Sequence, residues 1–143
     1  MSREENEAIV RKFLDEAYNK RNLAVGDELL TANSVLHWPG GDTTGPEGWK
    51  RFATGFLTAF PDLHVSIEDI VAKEDKVVAR WTSRGTHEGE LQGIAPTGKR
   101  VTVMGMGIYR LVGGKIQEIW GLNDKFGMLQ QLGVIPSSGH TEG

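Results

Sequence analysis

The feature that most constrains this chain is a change of period near its middle. As far as Pro61 the apolar residues recur at helical spacing, and beyond it they alternate. In "ENEAIVRKFLDEAYNKRN", Ile9, Phe13, Leu14 and Tyr18 share one helical face. Ser2 followed by Glu5 makes a capping-box pattern, which predicts a first helix from about residue 3 to residue 20. A short second helix is expected across "LAVGDELLTA". "SVLHWPG" then has strand character until Pro39 and two glycines stop it. "GPEGWKRFATGFLTAFPD" predicts a third helix, with Pro46 in its first turn and Pro61 past its end.

After Pro61 the chain reads as strands. "LHVSIEDIVAK" and "KVVARWTSRGTHEG" form a hairpin about "EDK", and "ELQGIAPTGK" is a Gly/Pro loop. "RVTVMGMGIYRLVGGKIQEIWGLND" is a second, longer hairpin that turns at Gly113 and Gly114. "KFGMLQQLG" closes with a short helix ended by Gly133. Helices grouped ahead of a mostly antiparallel sheet define an α+β fold. A strongly curved sheet wrapped around three N-terminal helices makes a cone-shaped barrel, whose cavity suits a small apolar ligand.

Composition narrows the function. The 143 residues suit one domain, expected over 1–135, with the small polar residues 136–143 as a loose tail. A net charge of −3 without a basic block points away from nucleic acid and from acidic membranes. The absence of cysteine excludes disulfides, thiolate metal sites and a Cys nucleophile. The acidic, then amphipathic N-terminus lacks the pattern of a secretion signal, and the expected location is the cytoplasm. No nucleotide-binding glycine motif, metal-binding helix motif or serine-hydrolase elbow occurs, so neither a metal nor a bound nucleotide is expected.

The candidate site residues are weighed one by one. Trp49, Phe52, Phe56 and Phe60 make one aromatic stripe on the third helix, to be read as core or as a pocket wall. Asp124 follows Trp120 and Leu122 at alternate positions and directly precedes a helix, so it is either a helix cap or a carboxylate in a desolvating pocket. In such a pocket it would serve as general acid/base. His87 in "GTHEG" either anchors a loop or hydrogen-bonds a substrate carbonyl. His37 and Trp38 point to opposite sides of the short strand, and an inward His37 would polarise a carbonyl. Arg80 alternates with Trp81; inside it would stabilise an enolate, and outside it belongs to solvent or to an oligomer interface. Tyr18, Trp38, Trp49, Phe52, Phe56, Trp81, Met104, Met106 and Trp120 are the expected pocket walls.

The blocks "FPDL", "RW…GTHEG", "PTGK", "GGKI" and "W…D…QLG" resemble the SnoaL-like polyketide cyclases, a branch of the nuclear-transport-factor-2-like superfamily, from about the first helix to Gly133. The resemblance implies a cone-shaped α+β barrel, a homodimer or homotetramer formed through the outer sheet face, and a cofactor-free mechanism. In the cyclases an aspartate on the last strand is the acid/base, and Asp124 is placed there. A histidine and a glutamine assist from the preceding strand, but "VTVMGMGIYRL" has neither. The implied reaction is an intramolecular aldol cyclisation of a hydrophobic carbonyl compound. An isomerase with Tyr18 as oxyanion donor and an epoxide hydrolase built partly on Arg80 and Asp124 are alternatives in the same cavity. A non-catalytic carrier or sensor, and a protein-association module using the sheet face, are alternatives of other classes.

Overall fold

The structure is a computed structural model that describes residues 2–136, so the expected tail lies outside the described residues except for Pro136. Helix α1 covers Arg3–Leu14. Its capping box is complete: the Ser2 hydroxyl accepts from the Glu5 N–H at 3.0 Å, and the Glu5 carboxylate accepts from the Ser2 N–H at 2.8 Å. The helix continues as a π-helical turn, Asp15–Asn19, before the short α2, Val25–Leu29. The expected second helix is cut short because Leu30 is already extended and opens strand β1, Leu30–Trp38. The glycines after Pro39 turn the chain into β2, Gly41–Thr44, a strand the sequence reading treated as a stop. Helix α3 spans Gly45–Ala59, with Pro46 in its first turn as expected.

Strands β3, His64–Lys73, and β4, Lys76–Thr86, form the first hairpin. Strands β5, Arg100–Val112, and β6, Lys115–Asn123, form the second, turning at Gly113 and Gly114. Helix α4, Lys125–Leu132, ends on Gly133 in the left-handed conformation. The sheet order is β2-β1-β6-β5-β4-β3, antiparallel except where β1 runs parallel to β6. Residue Gln131 clamps α4 to β5, accepting from the Thr102 N–H at 2.8 Å and donating to its carbonyl at 2.9 Å.

Burial follows a strict alternation along β5. Val101, Val103, Gly105, Gly107, Tyr109 and Leu111 face inward, while Met104, Met106, Ile108 and Val112 are exposed. Two hydrophobic clusters form the core. One joins Val10, Phe13, Trp49, Tyr109 and Ile116; the other joins Phe60, Val101, Val103, Met128 and Leu132. Half-buried Tyr18 and Trp81 pack against both, and the cavity opens between them.

Glycine decides how the inner sheet face is built. A Cβ on Gly105 would stand 2.6 Å from the Trp81 indole, and one on Gly121 would stand 2.9 Å from the Trp38 indole. A Cβ on Gly107 would come to 3.2 Å from the Tyr109 ring. These rings therefore lie on bare backbone. The variant Gly105→Ala is expected to lose about 1–3 kcal/mol of stability, the cost of overpacking a core site. Urea denaturation measures this, and an unchanged midpoint would show that Trp81 has room to move.

Candidate functional site

The cavity encloses about 810 Å³, its open mouth included. Its walls are the inward residues of β1, β4, β5 and β6 and the facing side of the helices. Of the residues expected to form it, Tyr18, Trp38, Trp49, Phe52, Phe56 and Trp81 line it. Phe60, the last ring of the aromatic stripe on α3, lines it too, as do Phe13, Ser83, Tyr109 and Asn123, none of which was among the candidate walls or catalytic groups. Edge-to-face contacts lock the aromatic wall at its mouth: Trp38 to Phe52 at 4.9 Å between centroids, and Phe52 to Phe56 at 5.3 Å.

The polar residues that line it are few: Tyr18, Ser83, Tyr109 and Asn123, with the exposed Arg84 the one charged residue of its lining among the described residues. Tyr18 is carried inward by the π-helical turn, a distortion common at functional sites. Arg21 holds that turn with a positive φ of 57° and a guanidinium that donates to the carbonyls of Tyr18 at 2.7 Å and Leu63 at 2.8 Å. Burial pushes the Tyr18 phenol far above its ordinary value, and a hydrogen bond with Trp49 offsets only part of this. Burial does the same to Tyr109, and the nearby Tyr18 adds to the effect. Both phenols therefore stay protonated at neutral pH and can donate. The Ser83 hydroxyl is engaged by the Val103 carbonyl at 3.1 Å, whereas the Asn123 side-chain amide has no partner among the described residues.

Several expected site residues lie elsewhere. Asp124 does not line the cavity. It is exposed and caps α4, its carboxylate accepting from the Gly127 N–H at 2.9 Å. The strand alternation points Asn123 inward instead. Met104, Met106 and Trp120 stand on the outer sheet face, opposite the glycines and Ile119. Arg80 is also on the outer face, where its Nε donates to Asp69 at 2.8 Å. His87 is fully buried beneath the segment that precedes β5. Its Nδ1 accepts from the Thr97 N–H at 3.2 Å, so Nε2 carries the proton, and that nitrogen has no partner among the described residues. It anchors that segment and does not line the cavity.

His37 is turned outward as well. Its Nδ1 lies 3.0 Å from Asp42 and its Nε2 2.6 Å from Glu118, and its ring stacks on Trp120 at 5.5 Å. The Glu118 hydrogen bond raises His37 above its ordinary value near 6.5, partial burial opposes this, and Asp42 adds to the rise. Glu118 is lowered, chiefly by His37. No group of acidic and histidine side chains among the described residues is placed to hold a metal. No described helix is long and apolar enough to cross a membrane.

Comparison with known proteins fits this geometry. Residues 8–132 match the sequence model of the SnoaL-like polyketide cyclases. The chain belongs to that family and has its α+β fold. It is similar to the aklanonic acid methyl ester cyclase DnrD of Streptomyces peucetius, with 31% identity over 108 residues, which is 74% of this chain and 72% of that protein. Among solved structures it is similar to AclR of Streptomyces galilaeus, with a TM-score of 0.85 at 30% identity, covering 95% of this chain and 85% of that one. IdmH of Streptomyces antibioticus gives a TM-score of 0.79 at 32% identity, covering 90% of this chain and 98% of that one.

The His37 cluster yields a pH prediction. A histidine raised in the folded state stabilises fully below its unfolded value and loses that contribution as pH rises through its folded value. Glu118 acts in the opposite sense, stabilising above its unfolded value near 4.5 and losing its contribution as pH falls through the lower folded one. Stability should therefore decline as pH rises above about 6.5, and His37→Gln should flatten that decline. Urea midpoints measured from pH 5 to 9 check this; equal slopes for the two proteins would count against the cluster.

Proposed function

We propose that this protein binds a flat, hydrophobic carbonyl compound in the aromatic cavity and promotes its intramolecular aldol cyclisation. The observation that carries the reading is two protonated phenols and a free amide among mostly apolar walls that also include Ser83 and Arg84. In the reaction an enol carbon attacks a second carbonyl of the same molecule. One C–C bond forms, the carbonyl π bond breaks, and the enol proton ends on the new aldol oxygen. Tyr18, Tyr109 and Asn123 would donate to the oxygens on which charge grows. Such bonds strengthen along the reaction in a site that excludes water. The walls would hold the two reacting carbons together. The reaction needs no cofactor.

This differs from the expected mechanism in its acid/base group. Asp124 caps a helix, and the inward positions of β5 beside Asn123 are Gly105 and Gly107, so that strand presents neither imidazole nor amide. A carrier reading is favoured by one observation: no carboxylate and no histidine lines the cavity among the described residues.

Incubation with aklanonic acid methyl ester, followed by chromatography and mass spectrometry, separates the two. The enzyme reading expects a cyclised isomer of unchanged mass. It expects Tyr18→Phe and Asn123→Ala each to lower kcat by about 10²-fold, as loss of an oxyanion donor does. Asp124→Asn should stay within about twofold, since Asn is an equally good cap. Binding without conversion would establish the carrier. Loss of turnover confined to the Asp124 variant would restore the carboxylate mechanism.

The same proposal includes a homodimer or homotetramer joined through the outer sheet face. Support comes from Met104, Met106, Ile108, Trp120 and Leu122, which expose 53%, 46%, 39%, 37% and 55% of their surface on that face. Light scattering should give an oligomer for the native chain and a monomer for Leu122→Glu; a monomeric native chain would refute it.

A further inference from the structure

The π-helical turn that carries Tyr18 into the cavity is fastened by two side chains that do not line it, Asn19 and Arg21. An i→i+5 turn has more residues per revolution than the α-helix before it, so it decides which way Tyr18 faces. Its closing bond runs from the Lys20 N–H to the Asp15 carbonyl at 3.1 Å. The last carbonyls of any helix lack amide partners. Here those of Tyr18 and Asn19 are taken by the Arg21 guanidinium, at 2.7 and 3.2 Å.

The same guanidinium reaches across to the chain that leads into β3. It donates to the Leu63 carbonyl at 2.8 Å and to the Pro61 carbonyl as well. Arg21 is exposed, yet each of its four hydrogen bonds goes to a main-chain oxygen, and no carboxylate pairs with it among the described residues. Its backbone sits at φ 57°, a conformation that residues with side chains rarely adopt. Asn19 adds a second tie. Its Nδ2 donates to the Val65 carbonyl at 2.9 Å, and its Oδ1 accepts from the Val65 N–H at 2.7 Å. Leu63 and Val65 both line the cavity, so the turn is bound to the cavity wall.

We propose that Arg21 is a positioning residue for the site: by clamping the π-helical turn to residues 61–63 it holds the Tyr18 phenol inward as a hydrogen-bond donor to the ligand. This rests on the reading of Tyr18 as a donor and deepens it. Of the two ties, only Arg21 grips the carbonyl of Tyr18 itself and spans to the facing chain. A lysine would bring a point charge in place of the planar fork and could not hold this set of carbonyls. With the clamp gone, the turn relaxes toward ordinary α-helical winding, and Tyr18 rotates out of the cavity.

The chain has two tyrosines, so their ionisation can be counted. Tyrosinate formation is followed by ultraviolet absorbance as pH is raised. The native chain should show none at pH about 10, where a free phenol is half ionised. Arg21→Gln should release one tyrosine to titrate there, and the double variant Arg21→Gln with Tyr18→Phe should release none. Arg21→Lys should give a midpoint between native and Arg21→Gln. In turnover of aklanonic acid methyl ester, Arg21→Gln should lower kcat by about tenfold with KM within about twofold, as misplacement of a catalytic group does. It should lower kcat no further in the Tyr18→Phe background. Release of both tyrosines overturns the inference, because Arg21 would then hold the whole fold. Release of neither, or an undiminished kcat in Arg21→Gln, overturns it as well. A native chain without turnover removes the cyclisation reading alone, and the tyrosine count then decides this inference.

Discussion

Three aromatic rings lie close against glycine backbone, and the rest of the site depends on that contact. Trp81 rests on Gly105, Trp38 on Gly121, and Tyr109 folds back over Gly107. Each ring buries a large apolar area without filling the cone, because the sheet beneath it carries no side chain. Side chains at the glycine positions would push the rings into the space a ligand needs. Strand alternation carries the consequence to the other face: with glycines inward, Met104 and Met106 stand outward. The apolar outer patch and the inner cavity are two results of one pattern.

Chemistry and architecture meet again at the end of β6. Asn123 presents its amide to the cavity, and the next residue, Asp124, spends its carboxylate on the first turn of α4. That helix brings Met128 against the cavity and Leu132 into the second core cluster. Asp124 therefore shapes the site through a helix. The neutral donors of the cavity are held by packing, from the π-helical turn that carries Tyr18 to the core strand that carries Tyr109.

Much of the fold was legible because its signals are local. The capping box before α1, the proline in the first turn of α3, the glycine turn between β5 and β6 and the glycine after α4 each report their own surroundings. The facing of β5 was not legible. Val, Gly and Tyr occupy one face and Met and Ile the other, so both faces read as apolar, and the larger side chains were taken as inward. The inward glycines are explained by Trp81 on the neighbouring strand, a long-range contact. The same reversal moved Trp120 and Leu122 outside and removed the apolar surround expected for Asp124. Arg80 and His37 went outward with their strands, and the carboxylates that hold them come from β3, from β2 and from β6. The alternation V-x-V-x-G-x-G-x-Y was the available clue to Tyr109.

The central claim is that ligand binds on the inner face and not on the exposed outer one. The chain has four tryptophans, and the fold divides them: Trp38, Trp49 and Trp81 line the cavity, and Trp120 stands outside. The most direct test is to follow the four indole N–H resonances of nitrogen-15-labelled protein during titration with the methyl ester of anthraquinone-2-carboxylic acid. The account predicts saturable shifts for Trp38 and Trp81 and none for Trp120. A saturable shift confined to Trp120 would place the ligand on the outer sheet face and contradict it.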